Sequence, residues 1–241
     1  MEEEHIIKHT KAIIGLSKDH DRKWGGRLKE VVTEILIIVF AVSISIWFHN
    51  WAESWKDRRE EREFYTGLKK DLLADVNEMT TNDLRSYTKF LRGVNYFEKV
   101  GSGAPLDNDS LANYNTIFFS NVSISPRSSR FDALRGSGRL DIIRNKELLI
   151  DITDLYTKVF PRINMTNDFF NSIRNKEFFP FIASHLQLDA RGNGTNWEEL
   201  LRTSQMRILL NLCEGATNID DYTKGIGKCN AIIRQIDEEL K

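Results

Sequence analysis

The sequence predicts an all-α protein: an N-terminal transmembrane helix continuing into a long stalk helix, packed with a C-terminal helical bundle domain. Three stretches carry that prediction. Residues 31–48, VVTEILIIVFAVSISIWF, form an apolar run whose single charge is Glu34. Residues 56–97 contain no proline and place Tyr65, Leu68, Leu72, Val76 and Met79 at helical spacing. Near the C-terminus Ile219, Tyr222, Ile226, Cys229, Ile233, Ile236 and Leu240 alternate spacings of three and four, the a/d seam of a coiled coil. Strand-like alternation occurs only in NVSIS, residues 121–125, which is too short to build a sheet.

A bilayer core takes roughly 20 helical residues, with a lower limit near 17. The apolar run meets it once Val31 and Val32 are counted and both ends are anchored. Arg27 and Lys29 stand just before the run, and Trp47, Trp51 and Trp55 stand at its far end, where amphipathic rings settle at headgroup depth. A cleaved signal peptide is the rival reading, but FHNWAES offers no small-x-small site for a peptidase. Basic residues precede the run closely, whereas the first one beyond it is Lys56. That asymmetry predicts a cytoplasmic N-terminus and a C-terminal domain across the membrane. The expected divisions are a cytoplasmic tail over 1–26, the transmembrane helix over 27–50, the stalk over 51–98 and the helical domain over 99–241.

The tail repeats apolar residues at Ile6, Ile7, Ile13, Ile14 and Leu16, among Lys8, Lys11 and Lys18. It reads either as an amphipathic surface helix or as a frayed end. Beyond the span, the mixed-sign run from Lys56 to Glu63 is the solvated face of the stalk. Gly101-Ser102-Gly103-Ala104-Pro105 breaks the stalk, and Asp107 or Asn108 then caps a helix through Phe119. A short helix ends at Arg135. Further helices follow over 145–160, over 164–186 with a kink or break at Pro180, over 196–214, and over 218–240. The last carries the seam, which is expected to pair with the stalk of its own chain or with a second copy.

Composition excludes several functions. Lys and Arg number 34 against 35 Asp and Glu, too balanced for a nucleic-acid binder. A mean hydropathy of −0.40 leaves room for one span, not several. No H-E-x-x-H, G-x-S-x-G or P-loop pattern occurs, so neither an enzyme nor a cofactor is expected. His5 and His9 have the spacing of a metal pair but no third ligand. Arg135-Gly136-Ser137-Gly138-Arg139 reads as a helix stop and restart, because a phosphate loop needs a preceding strand and longer glycine spacing. Arg127, Arg130, Arg135 and Arg139 nonetheless form a weak anion-attracting cluster. Cys213 and Cys229, the only cysteines, are a possible disulfide in an oxidising compartment. Cys229 also suits the seam as a small buried residue.

Within the span, Glu34, Ala41 and Ser45 share one helix face, and Ala41-x-x-x-Ser45 permits close approach of a second helix. They are the candidates for membrane oligomerisation, with Glu34 beside a hydrated path or simply at headgroup depth.

The block KEVVTEILIIVFAVSISIWFHNWAESWKDRREE, followed by LKKDLLADVNE, resembles the N-terminal signature of uncharacterised single-span membrane proteins of Bacteroidota. The matching positions are Glu34, Asn50-Trp51-Ala52-Glu53 and Asp71-Leu72-Leu73-Ala74-Asp75. A second block, FDALRGSGRLDIIRNKELLIDITDLY, is similar to that family's internal pattern at Leu134, Ser137-Gly138, Ile143, Asn145, Leu148 and Tyr156. The span here carries more aromatic and serine residues than the aliphatic-glycine type of that family. The resemblance implies a bacterial inner-membrane protein with a helical periplasmic domain, and brings no catalytic residues. The expected function is a non-enzymatic membrane-anchored scaffold or accessory subunit, with a homo-oligomeric channel as the alternative. Its expected partners are the lipid bilayer and a protein, or a second copy, with no nucleic acid.

Overall fold

The structure, a computed structural model, describes the backbone of residues 2–217 and 219–241, and the side chains of residue 29 and of 31–217 and 219–241. The tail's apolar repeat, His5, His9 and Arg27 lie outside the described side chains. The described residues are all-α, with no strand and one isolated antiparallel bridge between Leu188 and Gly194. Two compact units divide the chain, Met1–Arg59 and Glu60–Lys241.

Helix α1 runs over Glu2–Glu78. In its first unit it holds an 18-residue window of mean hydropathy 2.4, none of it buried. This helix is long and apolar enough to cross a membrane. Trp47, Trp51 and Trp55 are exposed, and the rings of Trp51 and Trp55 meet edge to face at 5.8 Å.

The second unit begins on the last turns of α1, where Tyr65, Leu68 and Leu72 are buried on one stripe. A π turn, Met79–Asp83, leads without interruption into α2, Leu84–Gly101. The helix therefore ends at the glycine break, with Gly103 at a φ of 109° that favours a residue without Cβ. Asp107 is the cap that starts α3, Asn108–Tyr114. Its carboxylate accepts from the Ser110 N–H at 2.8 Å. A 3₁₀ turn, Asn115–Phe118, completes that segment. NVSIS forms no strand; the Val122 backbone N–H donates to Asn171 Oδ1 at 3.1 Å and its carbonyl accepts from Asn171 Nδ2 at 2.7 Å, with Val122 and Ile124 turned inward. Helix α4 follows over Ser129–Gly136.

Two boundaries differ from expectation. The chain stays helical from Lys146 to His185, through α5 (Lys146–Asp154), α6 (Phe160–Ile173) and α7 (Phe179–His185). The expected interruptions fall at Pro161 and Pro180, residues that lack an N–H and clash with the carbonyl four residues back. Here π turns, Leu155–Val159 and Arg174–Phe178, precede the Phe-Pro pairs and widen the ladder where proline cannot join it. Conversely, the helix expected over 196–214 is two helices, α8 (Trp197–Leu201) and α9 (Ser204–Gly215). Thr203 caps the second by accepting from the Met206 N–H.

The seam lies on α10, Ile219–Glu239. Tyr222, Cys229, Ile233 and Ile236 are buried inside this chain, against α5, α6, the turn between them, α2 and the Met79–Asp83 turn. The unit's other packing centre is aromatic. Phe118 stacks on Phe97, Phe178 and Trp197 at 4.8, 5.0 and 5.7 Å.

Candidate functional site

The residues expected to form a membrane-oligomerisation face carry no neighbour from elsewhere in the described chain that buries them. Glu34, Ala41 and Ser45 are all exposed, as is Lys29. Ser45 Oγ donates to the Ala41 carbonyl at 2.9 Å, so this hydroxyl is satisfied within its own helix. The small-residue pair thus presents a shallow, hydrogen-bond-satisfied surface.

The arginine cluster is not an anion site. Arg127 binds Asp75 and Glu78, Arg130 binds Asp71 at 2.9 Å, Arg135 binds Asp132 and Arg139 binds Glu60. Three of these guanidiniums, Arg127, Arg130 and Arg139, reach carboxylates on α1. Glu61 extends the same contact, accepting from the Tyr65 hydroxyl and from the Arg144 backbone N–H at 2.8 Å.

The possible disulfide is also absent. Cys213 on α9 and Cys229 on α10 are free, fully buried thiols. Each packs as a small apolar group, and burial pushes both thiols up to about 12. Among the described residues, no cluster of three or more His, Cys, Asp or Glu side chains is placed to hold a metal.

A polar site that sequence reading passed over lies inside the bundle. Ile163, Asn167, Phe170 and Arg174 recur at spacings of four, three and four, and all four are buried. Asn167 Oδ1 accepts from the hydroxyls of Tyr87 at 2.8 Å and Tyr222 at 3.0 Å. Burial holds both phenols protonated, well above their ordinary range. Two turns beyond Asn167, Arg174 is only 2% exposed, yet its Nε and Nη2 find no hydrogen-bond partner among the described residues. Desolvation pulls this guanidinium below its usual range. The Phe170 ring lies under it, at 5.4 Å from the centroid. A desolvated cation–π contact supplies about 2 kcal/mol, whereas removing an ion from water costs several kcal/mol even after relaxation. Phe170 alone does not balance the charge.

Arg174 lines a half-open pocket of about 210 Å³ between α2, the 3₁₀ turn, Val122, α6 and the π turn that follows it, with Ser86, Thr116 and Ser120 exposed at its edge. Its other polar lining is Ser86, Tyr87, Lys89, Thr116 and Ser120, and no acid lines it. Lys89 Nζ donates to Thr116 Oγ1 at 3.4 Å. A separate cleft of about 490 Å³ is bordered by exposed Phe119, Phe179 and Leu188. Near the start of α2, Asp83 is 7% exposed and its Oδ2 has no partner among the described residues. Burial, reinforced by the Glu78 charge, pushes this carboxyl up to about 6. The signal for these residues was readable in principle: Asn167 and Arg174 are polar residues standing at apolar-stripe positions.

Residues 34–179 match the model of a family described as a family of unknown function, DUF6090. That stretch is more than half of the chain, and it contains every residue lining the Arg174 pocket. No curated protein and no solved structure matches.

Proposed function

We propose that this chain, which belongs to the DUF6090 family of unknown function, is a non-enzymatic, membrane-anchored helical scaffold or accessory subunit of a bacterial envelope complex. The observation that carries this reading is the 18-residue apolar window of α1, wholly exposed at a mean hydropathy of 2.4. An uninterrupted apolar surface of that size is not tolerated in water by a monomeric protein, and a bilayer covers it. The unit Glu60–Lys241, by contrast, buries its own core. In this reading Arg27 and Lys29 keep the N-terminus cytoplasmic, the span lies in the inner membrane, and the helical unit works in the periplasm.

Crosslinking in native membranes, followed by affinity purification and mass analysis, tests the scaffold. A stoichiometric foreign partner, retained when the span is exchanged for an unrelated one, supports it. Loss of every partner on that exchange counts against it. The second reading, a homo-oligomeric channel, draws on the shared face of Glu34, Ala41 and Ser45. A ladder of self-crosslinks with no other protein favours it. Unchanged oligomer size and ion leakage in Glu34→Gln and Ser45→Leu remove its basis.

A further inference from the structure

We propose that the cleft between α3, α7 and the 186–197 segment binds a neutral saccharide of one or two pyranose rings. Its lining carries no charged side chain, so an ionic ligand finds no counter-charge there. Phe119 and Phe179 meet edge to face at 5.8 Å on its wall, and both stay about half exposed. The carboxamides of Asn108 and Asn115 also line it, and they make no hydrogen bond among the described residues. Asn193 gives its Nδ2 to Asp189 at 3.1 Å, while its Oδ1 accepts from no group among the described residues. Trp197 stacks its ring on Phe118 at 5.7 Å, and its indole N–H donates to no group among the described residues either. A Cβ on Gly194 would stand 2.3 Å from that nitrogen, so glycine at this position lets the loop lie against the indole edge.

The chemistry of the lining sets the ligand class. A pyranose ring offers an apolar C–H face to an aromatic ring and a rim of hydroxyls, each both donor and acceptor. A carboxamide is likewise donor and acceptor, and an indole N–H is a donor, so the two sets match without a formal charge. An acyl chain would strip water from these amides and return no hydrogen bond. A peptide that adds as a strand needs an open sheet edge, and the described residues hold no strand. The cleft volume of about 490 Å³ falls within the roughly 300–1,000 Å³ of small-molecule sites. Every lining residue belongs to the unit Glu60–Lys241, so the site is independent of what covers the apolar segment.

Isothermal titration calorimetry on the full chain in lipid nanodiscs, with empty nanodiscs as the blank, tests this. The probes are maltose, cellobiose and diacetylchitobiose, and gluconate, hexanol and an uncharged tetraproline peptide stand for the charged, acyl and peptide alternatives. The expected result is saturable 1:1 binding of at least one disaccharide at millimolar concentration, tighter than that of all three alternatives. That binding should weaken at least tenfold in Phe179→Ala and in Asn115→Ala. It should stay within twofold of wild type in Met165→Ala, which removes an exposed apolar side chain outside the cleft. The disaccharide should also raise the melting temperature of the wild-type chain and not that of Asn115→Ala. No saturable heat from any of the three disaccharides, binding no tighter than that of an alternative, or unchanged binding in either cleft variant overturns the proposal. The comparison among probes uses the wild-type chain alone, so it decides the matter even if a variant does not fold.

Discussion

The carboxylate of Asp75 on α1 accepts from both the backbone N–H and the guanidinium of Arg127, with Nη1 2.6 Å from Oδ1. Asp75 is 4% exposed and Arg127 is 44% exposed, so the acid is the desolvated partner. Burial raises its pKa, and the hydrogen bonds from Arg127 act against that rise. Arg127→Ala strips the guanidinium from a buried carboxylate, and a loss of about 1–3 kcal/mol at pH 7 is expected. Chemical denaturation of the two chains measures it. An unchanged midpoint would mean that water replaces the guanidinium at no cost.

Asp83 gives the fold a defined pH response. Its folded carboxyl lies at about 6, above the ordinary 3.9 of an unfolded aspartate, so the fold binds this proton more tightly than the unfolded chain does. Its contribution is neutral below about pH 4, becomes unfavourable as pH rises toward 6, and is fully unfavourable above that. Asp83→Asn should therefore stabilise the protein by up to about 3 kcal/mol at pH 7, with the gain vanishing near pH 4. Melting temperatures of both chains across pH 4–8 test this, and a gain independent of pH would refute it.

Gly101 and Gly67 look alike in sequence and should respond oppositely to alanine. A Cβ on Gly101 would stand 2.6 Å from the backbone carbonyl oxygen of Leu201 in α8, which can yield only if helices move. Gly101→Ala should cost about 1–3 kcal/mol through overpacking. The nearest atoms to a Cβ on Gly67 belong to the Arg130 guanidinium, at 2.5 Å, the far end of a flexible side chain. Losing its exposed pair with Asp71 costs under about 1 kcal/mol. The better helix propensity of alanine recovers about that amount. Gly67→Ala should melt within a few degrees of the parent, and Gly101→Ala clearly below it.

Thiol labelling separates the buried-thiol structure from a bridged one. With both cysteines buried and their pKa values near 12, a disulfide reagent at pH 8 should modify neither thiol in the native protein and both in guanidinium. Finding no titratable thiol after denaturation would establish the bridge that the structure lacks.

Much of the architecture is legible in local chemistry. An uncharged run from Ile35 to Phe48 has one cheap environment. Asp107 and Asn145 are cap residues wherever a helix must start, and the spacing from Ile219 to Leu240 makes a helix with one face to bury. These features depend on residues within one or two turns of each other, so the sequence by itself determined them.

What only the tertiary structure decided depends on residues far apart in the chain. Whether Arg127, Arg130 and Arg139 attract an anion or are neutralised turns on carboxylates 49 to 79 positions away. Pro161 and Pro180 end no helix, because the packed bundle holds a π turn before each of them. Arg174 and Lys89 lie 85 positions apart on separate helical segments, and only the packing of those segments brings both to one pocket. Periodicity assigns a face to each helix. The burial of a charge, and therefore its partner, its pKa and its use, is set by which faces meet.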